Sequence, residues 1–522
     1  MILTTVIFSI NMRKLIPVIS RRLSHVCSLK PYKETKWLMP NGNPIGAYIY
    51  NCVADEKVPI ILNDPHVATW YSCGPTVYDS AHIGHASCYV KLDIIQRILK
   101  SFLNIKLVTA MGITDIDDKI IKKGIETNTH FQNIAKQYEH EFWLDMSSLN
   151  IEKPMIITRV SDHISTIEGF IKKLIDAKMA YVTLDGSVYF DTTKYPSYGK
   201  LQNAQTEGEA ANEEKRNKMD FALWKAYKPG EPSWDVSWGK GRPGWHIECS
   251  AMISKVFGSQ LDFHAGGIDL QFPHHENEEA QSCAFHNIRQ WANYWIHVGH
   301  LHAKGDIKMS KSLKNTISIP DLLASYSSDV FRMACLTSNY RYPMEYNNEV
   351  MKTAEEVLNK FKFFLKDAFI YVNNNATSTG DYKDKILNDL QKIEEANLEA
   401  LKSDFNTATC INNLLTLISN ANKIIKSDTK EYYPVPIVLI ADYITSMLTK
   451  FGLKLQDSAQ DSILSSSLID TLVEFRHTVR LNALSRKDKE VLQACDVVRD
   501  KMKSIKVQIN DSNKTSSWVS TQ

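Results

Sequence analysis

The chain has 522 residues, of which 43% are hydrophobic and 23% charged, and this length predicts a globular protein of about three or four domains. With 61 basic against 59 acidic side chains the net charge is only +2, which excludes binding of nucleic acid through overall basicity, so any such surface must be local. No apolar run approaches the ~20 residues that span a membrane, so no membrane segment is expected.

The first 37 residues have the composition of a targeting leader. Seven basic residues and one acid, Glu34, lie among several serines, a pattern typical of a mitochondrial transit peptide. We therefore expect residues 1–37 to be a leader and the protein to lie in the mitochondrial matrix. A disordered cytosolic tail on a cytoplasmic protein is the alternative interpretation.

Two apolar stretches, residues 60–73 and 105–111, predict buried strands on either side of a helix over residues 85–103. From Val90 onward this helix carries an apolar residue at every fourth position, which gives a stripe that would pack onto a sheet. Strand, helix and strand form a βαβ unit, which is right-handed by rule and parallel. The beginning of the chain therefore predicts an α/β fold.

The loop between the first strand and this helix offers candidate binding features. His82 and His85 lie at the helix N-terminus, where unpaired N–H groups and the helix dipole favour a phosphate. Gly84 removes a side chain that would keep a nucleotide from the backbone. Cys73, at the carboxyl end of the strand, faces the crevice where open α/β sheets bind ligands. Taken alone, these residues also fit a polar first turn and a core cysteine.

Residues from about 120 to 240 are hydrophilic and predicted to be mostly helical. The part from about 150 to 240 is interpreted as an insertion between two halves of a nucleotide fold, and the whole unit is placed at residues 38–345. The second half again alternates strands and helices. Its predicted parts are a strand with a glycine turn (261–270), a helix (from 272), a strand (295–300) and a basic loop (304–312).

From Val350 the apolar pattern changes to that of amphipathic helices, and we predict a helical bundle over residues 346–455. Residues 456–522 form the last unit. Between Arg476 and Lys506 nine basic residues stand against four acidic ones, which makes this the clearest phosphate-binding surface outside the leader. A solvated helix face is the plain alternative.

Four residues have the chemistry of a metal site. His274 and Glu278 are spaced i and i+4 and leave one helix face together, while Cys73 and Cys249 each lie at the edge of an α/β half. The nine cysteines include no Cys-x-x-Cys pair, which argues against a disulfide framework and leaves single cysteines available as ligands. All four residue types bind zinc. The spacing alone also fits an ordinary hydrogen-bonded His–Glu pair.

Two short motifs connect these features. His82-Ile-Gly-His85 and Lys308-Met-Ser-Lys-Ser312 resemble the two signature sequences of class I aminoacyl-tRNA synthetases. Further stretches resemble the cysteinyl-tRNA synthetases specifically; they are residues 73–79, 112–118, 221–225, 244–250, 272–278, 404–407 and Trp518. The resemblance runs from about residue 60 to the C-terminus. The chain departs from the family at residues 234–238 and in a loosened basic pattern over 480–499, so anticodon-contacting residues are not assigned.

The resemblance implies a fold and an activity. It implies a Rossmann-like nucleotide-binding catalytic domain with an insertion, followed by an α-helical bundle that binds tRNA and a small C-terminal anticodon-binding domain. The implied reaction activates L-cysteine with ATP and Mg²⁺ to cysteinyl-adenylate and transfers it to tRNA(Cys) in mitochondrial translation. We expect a monomer.

The resemblance also implies the role of individual residues. One zinc ion per chain would be held by Cys73, Cys249, His274 and Glu278, and zinc distinguishes the cysteine thiolate from the serine hydroxyl. The implied catalytic residues are His82, His85, Lys308 and Lys311. The implied substrate- and ATP-binding residues are Gly74, Thr76, Thr114, Trp245, Gly266, Gly267, Asp269 and Lys311.

Two rival functions and one addition stay open at this point. A ligase that joins cysteine to an amino sugar would share the catalytic half but lack the C-terminal RNA-binding part. An inactive synthetase-like RNA-binding module would have no physical need of the signature residues. The resemblance also implies cysteine persulfide formation with pyridoxal phosphate, in which the lysines of residues 119–123 would take part.

Overall fold

The structure is a computed structural model. It describes residues 37–202, 214–303, 307–308, 316–374, 384–427, 432–455, 462–512 and 515–520. The predicted leader up to residue 36 lies outside these residues, and so does Lys311. Trp37, the last residue of that predicted leader, is buried, and its indole N–H donates to the carbonyl of Asn293 at 2.9 Å.

Both strands and helices occur as far as residue 346. The strands are β1 (Asn43–Asn51), β2 (Glu56–Leu62), β3 (Val67–Thr76), β4 (Lys106–Thr114), β5 (Ile156–Arg159), β6 (Ala180–Val182), β7 (Val188–Phe190), β8 (Phe221–Ala226), β9 (Trp234–Val236), β10 (Gly239–Pro243), β11 (Leu261–Gly267), β12 (Ala292–Val298), β13 (Leu301–Ala303), β14 (Ile307–Lys308) and β15 (Met344–Tyr346). The helices are α1 (Ile83–Ser101), α2 (Asp118–Glu126), α3 (Phe131–Ser148), α4 (Ile164–Asp176), α5 (Trp245–Phe257), α6 (Glu276–His286), α7 (Ile319–Ser325) and α8 (Ser328–Leu336).

A five-stranded parallel sheet forms the centre of this half. Its order is β12-β11-β3-β4-β5. Numbered along the chain this is 5-4-1-2-3, which matches the first five strands of the Rossmann order, with β3 in the middle. The strands are apolar on both faces, as a sheet covered by helices requires; Trp70 on β3 and Phe263 on β11 are fully buried. The predicted α/β fold class is confirmed.

The predicted βαβ unit is present, with two changes at its ends. Helix α1 begins at Ile83 rather than residue 85, and Val90, Ile94 and Ile98 are buried as the periodicity predicts. The single strand predicted over residues 60–73 is wrong. It is divided into β2 and β3 by a turn in which Asp64 accepts the N–H of His66 at 2.8 Å, and β2 pairs with β1 in a separate antiparallel hairpin.

The helix predicted from residue 272 is also shorter than expected. Phe272 is extended (φ −141°, ψ 132°) because a residue before proline is pushed out of the helical region. Regular helix begins only at Glu276, after a wide turn over Gln271–His275.

The prediction that residues 120–240 are mostly helical is wrong for their second half. Residues 180–243 contain a five-stranded antiparallel sheet in the order β6-β7-β8-β10-β9, packed against α4 and α5 by residues such as Phe190 and Trp224, both fully buried. Its strands have three to six residues, too few to show an alternating pattern among polar loops.

The remainder of the chain is mainly helical. Its elements are α9 (Asn348–Asn374), α10 (Asp384–Lys402), α11 (Thr407–Ile425), α12 (Pro434–Lys450), α13 (Ser462–Arg486), α14 (Lys489–Ser504), β16 (Val507–Asp511) and β17 (Ser516–Ser520). The four predicted amphipathic helices of the bundle are all present as α9 to α12, with residues such as Phe361 and Leu414 fully buried. Within the described part of the chain, no helix combines the length and apolarity needed to cross a membrane.

A buried arginine connects the α/β half of the chain to the helical bundle. Arg332 on α8 is 1% exposed and pairs with Asp93 on α1 at 2.5 Å. Its guanidinium also donates to the carbonyls of Leu149, Asn150 and Phe451 at 2.8–3.3 Å. Helix α1, which starts at the predicted phosphate site, is thereby fixed to the loop after α12.

Candidate active site

A cavity of about 560 Å³ opens at the carboxyl ends of β3 and β11. These neighbouring strands mark the point where the strand order reverses, which is where open α/β sheets bind ligands. Most of the predicted site residues line the cavity, namely Cys73, Gly74, Thr76, His82, His85, Thr114, Trp245, Cys249, Gly267, Asp269 and His274. Gly266 lies on β11 and Glu278 is fully buried; neither is among the lining residues.

Four predicted ligands meet at the floor of this cavity. Cys73 comes from the end of β3, Cys249 from α5, and His274 and Glu278 from the turn and first residues of α6. The two Sγ atoms are 3.9 Å apart, and Glu278 Oε1 lies 3.6 Å from Cys73 Sγ and 2.9 Å from His274 Nε2. All four ligand atoms lie within 4.8 Å of one another, and all four residues are buried.

This donor set fits zinc. Two thiols, an imidazole and a carboxylate are ligands that zinc accepts in tetrahedral sites, and three of the four residues border the cavity that a substrate would enter. A second set within the same reach combines Cys73 and Glu278 with His264 and His275. These two histidines are not among the cavity-lining residues, so the first set is the one that an ion in contact with a substrate would use.

Histidines behind the cluster bind its members by hydrogen bonds. His264 Nε2 is 2.9 Å from Glu278 Oε2, and His275 Nε2 is 3.4 Å from Cys73 Sγ. His275 in turn contacts His297 at 2.9 Å, and His246 contacts His274 at 3.0 Å. Such outer partners orient metal ligands and tune their basicity.

Sequence reasoning missed these histidines. The available signal was a polar residue inside an otherwise apolar strand: His264 stands between Phe263 and Ala265 on β11, and His297 between Ile296 and Val298 on β12. Both are buried, and a buried imidazole in a core strand needs a partner.

The cluster is electrostatically polarised. Burial opposes ionisation of Glu278, but His264 and His274 outweigh it and lower its pKa to about 2. Burial likewise opposes the charged form of His274, but Glu278 and Cys249 raise its pKa to about 10. The hydrogen bond from Cys73 lowers the pKa of Cys249 to about 6, whereas burial and Cys249 raise the pKa of Cys73. Cys249 is thus the more acidic of the two thiols.

The two signature histidines cap helix α1. His82 Nδ1 accepts the N–H of Gly84 at 3.1 Å, His85 Nδ1 accepts the N–H of His82 at 3.2 Å, and the rings stack at 3.9 Å. Because both Nδ1 atoms accept backbone N–H groups, the proton of each neutral ring lies on Nε2. A Cβ on Gly84 would lie 2.8 Å from His82 Cε1, so the cap requires glycine there.

The remaining predicted residues surround the same cavity. A Cβ on Gly267 would lie 2.5 Å from Asp269 Oδ1, so that glycine makes room for the carboxylate. Trp245 is 37% exposed and stacks on His274 with the ring centroids 4.2 Å apart. Thr114 Oγ1 donates to Glu248 at 3.1 Å.

The structure describes the predicted lysines only in part. Lys308 ends β14 and its backbone pairs with His302 of β13, but its side chain and all of Lys311 lie outside the described residues. Lys119 lines the cavity, and Lys123 forms an ion pair with Asp79 at 3.2 Å.

Comparison with known proteins assigns the chain to a family. The family model for the catalytic domain of class I (C) tRNA synthetases matches residues 60–356. A protein of Xenopus tropicalis named as a probable mitochondrial cysteine–tRNA ligase is 40% identical over 519 residues, which cover 92% of this chain and 91% of that protein. The chain belongs to the cysteine–tRNA ligase family of class I aminoacyl-tRNA synthetases.

Other members of the cysteine–tRNA ligase family match over similar lengths. A cytoplasmic cysteine–tRNA ligase of Dictyostelium discoideum is 38% identical, covering 93% of this chain and 79% of that protein. A cysteine–tRNA ligase of Methanococcus maripaludis is 39% identical, covering 87% of this chain and 94% of that protein. A methionyl-tRNA synthetase of Mycobacterium tuberculosis, solved with methionyl-adenylate, superimposes with a TM-score of 0.56 at 15% identity over 78% of this chain and 94% of that chain. That likeness shows the class I fold.

Proposed function

We propose that the chain is a zinc-dependent cysteine–tRNA ligase of mitochondrial translation. It activates L-cysteine with ATP to cysteinyl-adenylate and transfers the cysteinyl group to tRNA(Cys). The observation that carries the proposal is the convergence of Cys73, Cys249, His274 and Glu278, distant in sequence, within 4.8 Å at the floor of the cavity. The helix N-terminus suits the phosphate groups of a nucleotide, and the two thiols suit a metal ion that binds sulfur. The two features together support a reaction between a sulfur-containing amino acid and a nucleotide.

In this proposal Cys73, Cys249, His274 and Glu278 hold one zinc ion. When bound, zinc would bind the thiolate of cysteine far more strongly than the hydroxyl of serine, which a pocket of shape alone would separate poorly. His264 and His275 hold Glu278 and Cys73 in place. Trp245 and Thr114 enclose the amino acid on the cavity side.

The nucleotide lies at the other end of the cavity. His82 and His85 present Nε2–H donors beside the N-terminus of α1, which together suit the phosphate oxygens of ATP bound with Mg²⁺. Gly74 and Thr76 at the end of β3 border the same space, Gly266 and Gly267 leave room for the adenosine, and Asp269 is suited to accept a ribose hydroxyl. Lys308 and Lys311 neutralise the pyrophosphate that leaves, since this chemistry depends on positioning and charge.

The helical half supplies the tRNA-binding surface of a monomer. Residues 346–455 hold the tRNA, and residues 456–522, with the basic residues of α13 and α14, read the anticodon, whose unstacked bases suit single-strand recognition.

Charging of tRNA tests this function directly. The full chain with zinc should catalyse cysteine-dependent exchange of pyrophosphate into ATP and should charge tRNA(Cys) transcripts but not a transcript of another specificity. Exchange without charging, together with transfer of cysteine to an amino sugar, would identify the related ligase. The absence of exchange would identify an RNA-binding module, and either result would overturn the proposal.

Deletion of the leader tests the location. A chain that lacks residues 1–36 should stay in the cytosol of a cell that imports the full chain into mitochondria, because the basic segment is the import signal. The deletion stops before Trp37 because that side chain packs into the core. Import of the shortened chain, or cytosolic location of the full chain, would contradict the proposal.

A further inference from the structure

The turn between α10 and α11 carries a buried carboxylate with three partners. Asp404 is 4% exposed. Its carboxylate accepts the backbone N–H of Tyr50 at 3.0 Å, the hydroxyl of Tyr340 at 2.7 Å and Nε–H of Arg341 at 2.9 Å. Asp404 and Phe405 both have positive φ (+63° and +54°), a strained pair that persists only where the surroundings fix it.

Two of these partners, Tyr340 and Arg341, belong to a segment that packs directly behind the wall of the nucleotide cavity. The carbonyl of Tyr340 accepts the N–H of Gly299 at 2.9 Å, and the carbonyl of His300 accepts the N–H of Met344 at 2.9 Å. Gly299 and His300 line the cavity. A Cβ on Gly299 would lie 2.3 Å from the carbonyl oxygen of Tyr342, so the two segments are packed backbone to backbone.

The same segment supports the strand that leads to the second signature. β15, which begins three residues after Arg341, pairs in parallel with β13, and β13 pairs with β14, which ends at Lys308. A change in the position of residues 340–342 would therefore reach both the cavity wall and the strand that leads into the signature loop.

We infer that Asp404 is a positioning residue for ATP. By holding Tyr340 and Arg341 it fixes the cavity wall at Gly299 and His300 and links that wall to the turn between α10 and α11 of the bundle. The inference rests on the proposed function, because it assumes that this end of the cavity binds ATP. None of the contacts described here connects Asp404 to the floor of the cavity, so cysteine binding should not depend on it.

Asp404→Asn removes the charge that pairs with Arg341 while keeping an oxygen for Tyr50 and Tyr340. In pyrophosphate exchange without tRNA we expect the KM for ATP to rise about tenfold, a typical coupling between sites, with the KM for cysteine and the zinc content unchanged. Arg341→Lys, on a side chain that is partly exposed, should raise the KM for ATP by a smaller factor. The double variant should have the same KM for ATP as Asp404→Asn alone, because both changes remove the same contact, the ion pair between Asp404 and Arg341.

Asp329→Asn is the matched control. Asp329 is also a buried carboxylate between the two halves, where it accepts the N–H groups of Lys454 and Leu455 at 3.1 Å, and no contact described here joins it to residues 340–342. It should lower thermal stability without changing the KM for ATP. An unchanged KM for ATP in Asp404→Asn, or equal increases for ATP and cysteine, would overturn the inference, whereas failure of the wild-type chain to exchange pyrophosphate would count against the proposed function instead.

Discussion

Cys249→Ala should abolish stoichiometric zinc binding and raise the KM for cysteine in pyrophosphate exchange by more than about a hundredfold. Loss of an outer partner of a metal ligand already weakens metal binding by about 10- to 100-fold, and loss of a ligand removes a direct bond. Cys249 Sγ lies 3.9 Å from Cys73 Sγ, and both thiols belong to the set that fits zinc. Metal content by mass spectrometry and cysteine titration of the exchange rate measure the two effects.

ATP binding should survive in this variant, because His82, His85 and Asp269 lie on other elements of the cavity wall. Calorimetric titration with a non-hydrolysable ATP analogue checks this point. Cys283→Ala is the matched control: Cys283 is a buried cysteine on α6, the helix of Glu278, but its thiol contacts Glu279, so zinc and cysteine affinity should stay unchanged. Full zinc content in Cys249→Ala would refute the ligand assignment.

Sequence predicted the part of the fold that local patterns determine. The apolar stripe of α1 is set by residues four apart, and it is buried as predicted. The i, i+4 spacing of His274 and Glu278 likewise predicted that they would meet, and they lie 2.9 Å apart, although His274 lies in the turn before α6 rather than on the helix itself. The family resemblance, rather than spacing, joined these two residues to Cys73 and Cys249.

Contacts between distant residues could not be predicted in this way. The antiparallel sheet over residues 180–243 is made of strands too short for a periodic signal. The family resemblance includes residues 404–407 but gives Asp404 no partner, and only the fold brings it to Tyr50 and Arg341, 354 and 63 positions away. The contact of His264 with Glu278 could not be predicted for the same reason, because the two residues lie on different elements.

Asp93→Asn should destabilise the catalytic half by about 3–5 kcal/mol, the usual effect of removing one partner of a buried ion pair. Arg332 would keep its charge in a site that is 1% exposed, with only carbonyl oxygens and a neutral amide around it. We expect that repacking of side chains will not recover this loss of unfolding free energy, because Arg332 contacts α1, the end of α3 and the loop after α12 at the same time. Thermal unfolding should show a decrease of about 10 °C in Tm.

Glu126→Gln provides the matched control for this charge removal. Glu126 pairs with Lys122 at 3.8 Å on one helix, and the two side chains are 60% and 78% exposed, so solvent screens the pair and its loss should change stability by less than about 0.5 kcal/mol. Asp93 also pairs with Arg97 at 2.8 Å. Equal Tm values for Asp93→Asn and Glu126→Gln would contradict the prediction, because they would show that buried Arg332 does not depend on the charge of Asp93. A large decrease confined to Asp93→Asn is the result expected if the buried arginine fixes helix α1, and with it the phosphate site, to the bundle.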